Sequence, residues 1–351
     1  MNTSSTFLQA CARQPVAHTP VWLMRQAGRY MPEYRELRAK HDMLEMIQTP
    51  ELAAEVTLQP IRAFDLDAAI IFADILPPLM AMGLDLEFVK GVGPRIGNPI
   101  ASPADVGRLE VPSVAEALSG TLKAIELVSR ELAPSGVPLI GFAGAPFTLA
   151  CYAIEGGTSR NYAKAKSFMF SEPRAWDQLM TRLVEVQAEY LLEQVGAGAS
   201  ALQVFDSWAG MALGRLDYVR YVQPYNARLF YLISHSGVPV INFSTGTGQF
   251  LPDVAACGGS VVGVDWRVPL DWAWKRIGAD RAIQGNLDPI SLLAPWPMMQ
   301  ERVDDVLHRA GGRPGHIFNL GHGILPDTPM DAVRRLVDYV HEQTSDSAPG
   351  A

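Results

Sequence analysis

The chain has 351 residues, 48% of them apolar and 19% charged, with a formal net charge of −8. That is material for one large α/β barrel or two ordinary domains. The acidic balance excludes a non-specific nucleic-acid binder, whose affinity needs a basic face. No apolar run reaches membrane-spanning length, and the N-terminus has no basic stretch leading into an apolar one. Cys11, Cys151 and Cys257 are isolated and odd in number. We therefore expect reduced thiols in a cytoplasmic protein rather than a disulfide frame.

In chain order, the apolar run Val21–Met24 comes first and ends in Arg25-Gln26-Ala27-Gly28-Arg29. Between residues 25 and 38, Arg25, Arg29, Arg35 and Arg38 face only Glu33 and Glu36, in a protein that is acidic overall. Guanidinium forks at a strand end suit carboxylate or phosphate. A solvated salt-bridge face is the bland reading, and Gly28 argues against a regular exposed helix there. Seven more apolar runs follow: Ala68–Phe72, Pro138–Phe142, Ala201–Phe205, Val238–Phe243, Ser260–Val264, Ala282–Gly285 and His316–Leu320. They lack polar alternation, as strands buried on both faces do. Amphipathic stretches separate most of them. Helix starts are marked by Ser102-Pro103-Ala104-Asp105, Thr49-Pro50, Asp288-Pro289 and Thr328-Pro329-Met330-Asp331.

This βα alternation predicts a TIM-type barrel, read as one domain over residues 1–351 with short frayed tails. A doubly wound sheet would carry a G-x-G-x-x-G turn, and Gly246-Thr247-Gly248 is followed by Leu251 instead. In a barrel the loops after the strands build the site. Five strand ends offer polar groups: the arginine pair, Asp74, Tyr152, Asp206 with Ser207, and His322. Asp74 is a poor helix cap, because Pro77 would sit at N3 without an N–H. Tyr152 reads equally as a core tyrosine. Spacing does not choose between Asp206 and Ser207. His322 lies between glycines, open to ligand approach. No zinc pattern, nucleophile elbow or P-loop is present.

Pro20-Val-Trp-Leu-Met-Arg25-Gln-Ala-Gly-Arg29-Tyr30-Met-Pro-Glu-Tyr-Arg35 closely resembles the N-terminal motif of the uroporphyrinogen decarboxylase family. Gly141-Phe-Ala-Gly-Ala-Pro-Phe-Thr-Leu149 with Tyr152 is similar to its second motif. Further blocks match around Leu66–Leu76, Phe205–Gly210 and Asn319–Ile324. The resemblance implies a distorted (β/α)8 barrel and a cofactor-free, metal-free, cytoplasmic homodimer. It implies conversion of the four acetate side chains of uroporphyrinogen III to methyls, giving coproporphyrinogen III and carbon dioxide. Substrate contacts then fall on Arg25, Gln26, Ala27, Gly28, Arg29, Asp74, Tyr152, Ser207 and His322, with Asp74, Arg25 and Arg29 catalytic. The proton donor stays open between an arginine, Arg25 ahead of Arg29, and His322. Two rival readings are a corrinoid-linked methyltransferase, which needs a zinc-bound thiolate, and a non-catalytic tetrapyrrole carrier.

Overall fold

Short β-branched and apolar runs alternate with amphipathic helices, and the runs pair in sequence order. The computed structural model describes residues 5–89 and 91–345. Most of the tails read from the sequence, Met1 to Ser4 and Asp346 to Ala351, lies outside these, and a helix already begins at Thr6. In chain order the strands are β1 (Ala69–Ile70), β2 (Leu86–Val89), β3 (Gly93–Ile96), β4 (Leu139–Gly144), β5 (Ala201–Asp206), β6 (Val240–Ser244), β7 (Val261–Gly263), β8 (Ala282–Gln284) and β9 (His316–Ile317). β1 and β4 to β9 form one parallel sheet in that order, while β2 and β3 make a separate antiparallel hairpin. Seven of the eight expected runs thus become strands.

The eighth, Val21–Met24, does not. It contributes a single parallel bridge, Val21 to Phe318 beyond β9. Phe318 N–H donates to the Pro20 carbonyl at 2.9 Å, and on the other side Asp67 N–H donates to the Val21 carbonyl at 2.9 Å. The segment therefore lies between β9 and the approach to β1 and closes a distorted (β/α)8 barrel. It is short for a local reason: Pro20 has no N–H to pair, and Arg25 turns out of the sheet with φ 62°.

A polar thread crosses the barrel interior. Trp22 Nε1 donates to Gln284 Oε1 at 3.0 Å, and Gln284 Nε2 donates to Gln203 Oε1 at 3.1 Å. The thread ties the closing segment to β8 and β5 through side chains, where the backbone ladder gives only one bridge. At the C-terminal strand ends Phe142, Phe205 and Phe243 stand edge to face, with centroids 5.5 and 5.7 Å apart.

The helix signals hold in part. Ser102 and Asp105 form the capping box, and the Asp288 side chain accepts from Ile290 N–H. The last helix runs Met330–Thr344, starting just after Pro329. The β2–β3 hairpin was not anticipated. Its sequence cues are the short alternation Leu84-Asp85-Leu86-Glu87-Phe88 and the glycines at 91 and 93.

Candidate active site

The loop after Val21–Met24 is built to hold one side chain in a strained place. Arg25 takes a left-handed backbone conformation, which a non-glycine residue adopts only when its surroundings force it. Gly28 does not; its role is to let the turn pass the Arg25 carbonyl, which a Cβ there would approach to 3.3 Å. The forcing contacts are specific. Gln26 is fully buried; its Oε1 accepts Leu23 N–H at 2.9 Å and its Nε2 donates to the Ala68 carbonyl at 2.9 Å. Met24 N–H donates to Asn319 Oδ1 at 3.0 Å. Arg35 donates from Nε to the Arg29 carbonyl at 2.9 Å and from Nη2 to that of Tyr30 at 3.1 Å.

The cavity above the strand ends is lined by Arg25, Ala27, Gly28, Arg29, Asp74, Tyr152, Ser207 and His322. It has a volume of about 220 Å³ and opens to solvent at its mouth. Phe142, Phe205 and Phe243 form part of its floor, with Met24, Phe72 and Ile324 on the walls. Eight of the nine residues anticipated from the sequence thus meet around one space. Gln26 is the ninth: its side chain serves the frame and is absent from the lining. Asp206 also turns away. It is buried and accepts from Thr148 Oγ1 at 3.0 Å and Asn226 Nδ2 at 3.1 Å, so it anchors helices, while Ser207 faces the cavity.

Arg25 is wet but recessed: water reaches it through the cleft, yet protein surrounds it. Burial lowers its pKa, and the Arg29 charge lowers it further, against the pull of Asp74. Asp74 sits half-buried on the facing wall, with Oδ1 accepting Leu76 N–H at 3.0 Å. Burial pushes its carboxyl above the usual range, opposed by the Leu76 amide, Arg25, the Ile75 amide and Arg29. Tyr152, on the Pro146–Glu155 helix, lies against the Trp208 ring at 4.0 Å. Burial, then Asp74, raises its pKa, so the phenol stays protonated and can donate.

His322 is fixed by its neighbour. The Gly323 N–H donates to its Nδ1 at 2.7 Å, so in the neutral ring Nε2 carries the proton. Burial, with Arg25 and Arg267 adding to it, holds its pKa down at about 4. Gly323 also makes room for the arginine: a Cβ there would lie 2.5 Å from Arg25 Cδ and 2.9 Å from Cγ. Sequence reasoning missed Gly323, Asn319 and Arg35 as supports. Asn319 and Gly323 flank His322 within the same short block, which was the available cue.

Residues 2–343 match the family model described as Uroporphyrinogen decarboxylase (URO-D). The chain belongs to the uroporphyrinogen decarboxylase family. It is 54% identical to the uroporphyrinogen decarboxylase of Roseiflexus sp. (strain RS-1), over 98% of this chain and 100% of that one. It is 52% identical to that of Carboxydothermus hydrogenoformans, over 97% of each. Among solved structures, a methyltransferase from Methanosarcina mazei superposes with a TM-score of 0.79 at 20% identity, over 96% of this chain and 97% of that one. At that identity the likeness is one of fold.

Gly323→Ala tests the cradle. The new methyl forces the Arg25 stem aside in a cleft whose frame is otherwise intact. We expect kcat/KM to fall about 100-fold for a displacement near 1 Å, with circular dichroism unchanged. Wild-type kinetics would show that the arginine is not held there.

Proposed function

We propose that this chain decarboxylates the four acetate side chains of uroporphyrinogen III, giving coproporphyrinogen III and carbon dioxide, with no cofactor. Uroporphyrinogen decarboxylation is the family's activity and that of this carboxy-lyase. The remainder rests on one observation: a single carboxylate, Asp74, shares an aromatic-lined cleft with two arginines whose charges act on it.

Loss of carbon dioxide from an acetate leaves an electron pair that needs a sink, and a pyrrole can provide it. A proton adds to the ring carbon next to the acetate-bearing one, and the ring becomes an iminium-like cation. The bond to the carboxylate breaks, its electrons neutralise the ring, and an exocyclic methylene remains. A second proton completes the methyl while the ring carbon releases the first. Each acetate thus consumes one proton overall.

Asp74 suits the cationic stage. Four pyrrole N–H groups turned inward can all donate to one carboxylate, which keeps it ionised against the effect of burial. The same carboxylate then stabilises positive charge as it develops, in a cleft from which the bound macrocycle displaces water. Arg25 and Arg29 grip peripheral carboxylates, and Tyr152, Ser207 and neutral His322 add hydrogen bonds from the rim. For the proton, Arg25 is favoured. Burial and Arg29 both weaken its hold on its protons, whereas His322 carries none to spare near neutrality.

A homodimer in the cytoplasm belongs to the same proposal. Phe170 and Leu216 are 50% and 80% exposed, and Phe170 packs on Tyr221 of the helix that carries Leu216. Met211, in the short helix that precedes Leu216 in sequence, is 59% exposed. Such clustered apolar exposure fits a partner surface. No helix among the described residues is long and apolar enough to cross a membrane. Sedimentation should give twice the chain mass, and a monomer at micromolar concentration would refute the dimer.

Asp74→Asn keeps the shape and removes the charge. We expect kcat to fall about 100-fold or more, ~3 kcal/mol in the barrier, with substrate still bound. Turnover near wild type would refute the charge role. A carrier without catalysis would instead release unaltered uroporphyrinogen from the wild-type protein.

The pH dependence separates the proton donors. His322 has a folded pKa of about 4, below the ordinary histidine value, so it is neutral above that pH. The stability carried by the neutral ring is complete above the ordinary histidine value and is lost progressively as pH falls towards 4. Between pH 6 and 8, kcat/KM should therefore follow parallel profiles in wild type and His322→Asn. An acid limb near pH 6.5 that vanishes in the variant would move proton delivery to His322.

A further inference from the structure

At the opposite end of the barrel from the cleft, three distant segments meet on one carboxylate. His18 precedes the closing segment, Asp67 precedes β1, and His341 lies on the Met330–Thr344 helix. His18 Nε2 is 2.9 Å from Asp67 Oδ1, and His341 Nε2 is 2.8 Å from Asp67 Oδ2. The two rings stand 4.2 Å apart, tilted at 51°. Among the described residues this is the one group of three potential metal-ligating side chains, its ligand atoms all within 4.8 Å of one another.

We propose that His18, Asp67 and His341 bind a divalent transition metal of the zinc class, which staples the barrel where its ladder is thinnest. Two imidazoles and a carboxylate are a donor set that zinc accepts, with water completing a tetrahedron. The surroundings match what such a site needs. Asp67 Oδ2 accepts Val21 N–H at 2.7 Å, which orients the carboxylate and leaves Oδ1 for the ion. Asp65 Oδ2 lies 3.8 Å from His341 Nδ1. When Nε2 takes the metal, the imidazole proton moves to Nδ1 and faces that second carboxylate, the usual support for a ligating histidine. The His18 side chain is 26% exposed, against 11% for Asp67 and 14% for His341, which gives an entry path and room for a water. Thr19 N–H donates to Thr344 Oγ1 at 2.9 Å, so the first and last segments are already aligned before an ion arrives. The ion's role would be structural, because the cluster shares no residue with the cleft.

The test uses the full chain, stripped with a chelator and then titrated with Zn²⁺ alone. We expect one ion per chain and a melting temperature raised by about 3 °C or more at 100-fold excess over Kd. Co²⁺ should give the visible bands of a tetrahedral N/O site. His341→Gln keeps a side-chain N–H for Asp67 but supplies no imidazole, so it should fold and retain activity while losing both responses; His18→Gln should behave alike. No binding by the wild-type chain, or equal zinc responses in wild type and both variants, would overturn the proposal.

Discussion

The buried amide of Gln26 is the constraint on which the cleft depends. One end holds the Leu23 N–H, the other the Ala68 carbonyl, so the arginine turn is fastened to the entrance of β1. Asp74 follows the far end of that same strand. A single side chain thus sets the cationic loop relative to the carboxylate. With the amide buried, leaving either bond unmade would strand a backbone group away from water, at a cost of about 1–3 kcal/mol. Strain at Arg25 persists because this bridge, Asn319 and Gly323 leave the turn no other arrangement.

The electrostatics follow from depth more than from charge count. The chain is acidic overall, yet the cleft concentrates guanidinium groups above an aromatic floor. Low polarizability below and protein on the sides make each charge felt more strongly than at an open surface. The same environment acts in opposite senses on different groups. It weakens proton retention at Arg25 and His322 and strengthens it at Asp74 and Tyr152. An anionic ligand would reverse part of this for the arginine and the histidine, so substrate and site adjust one another's protonation.

Much of this was legible in the residues because strand ends in a barrel are marked twice, by the end of an apolar run and by the polar group after it. Asp74 and His322 were found that way. Val21–Met24 reads as a strand by composition, but pairing depends on Pro20 and on where Arg25 turns, which no apolar run reveals. Asp206 and Ser207 are adjacent, and only the packing of Thr148 and Asn226 decides which one faces inward. Gln26 resembled a ligand contact because it sits among them. Its service to backbone groups at positions 23 and 68 is a long-range fact of the fold.

The single Val21–Phe318 bridge has a further consequence. The other staves are laced together along a continuous arc, but the joint beneath the arginine turn is not. A fluctuation that parts this joint would draw Arg25 away from Asp74 while most of the hydrophobic interior stays shut. Heat would then silence the enzyme at temperatures where spectroscopy still reports a folded molecule.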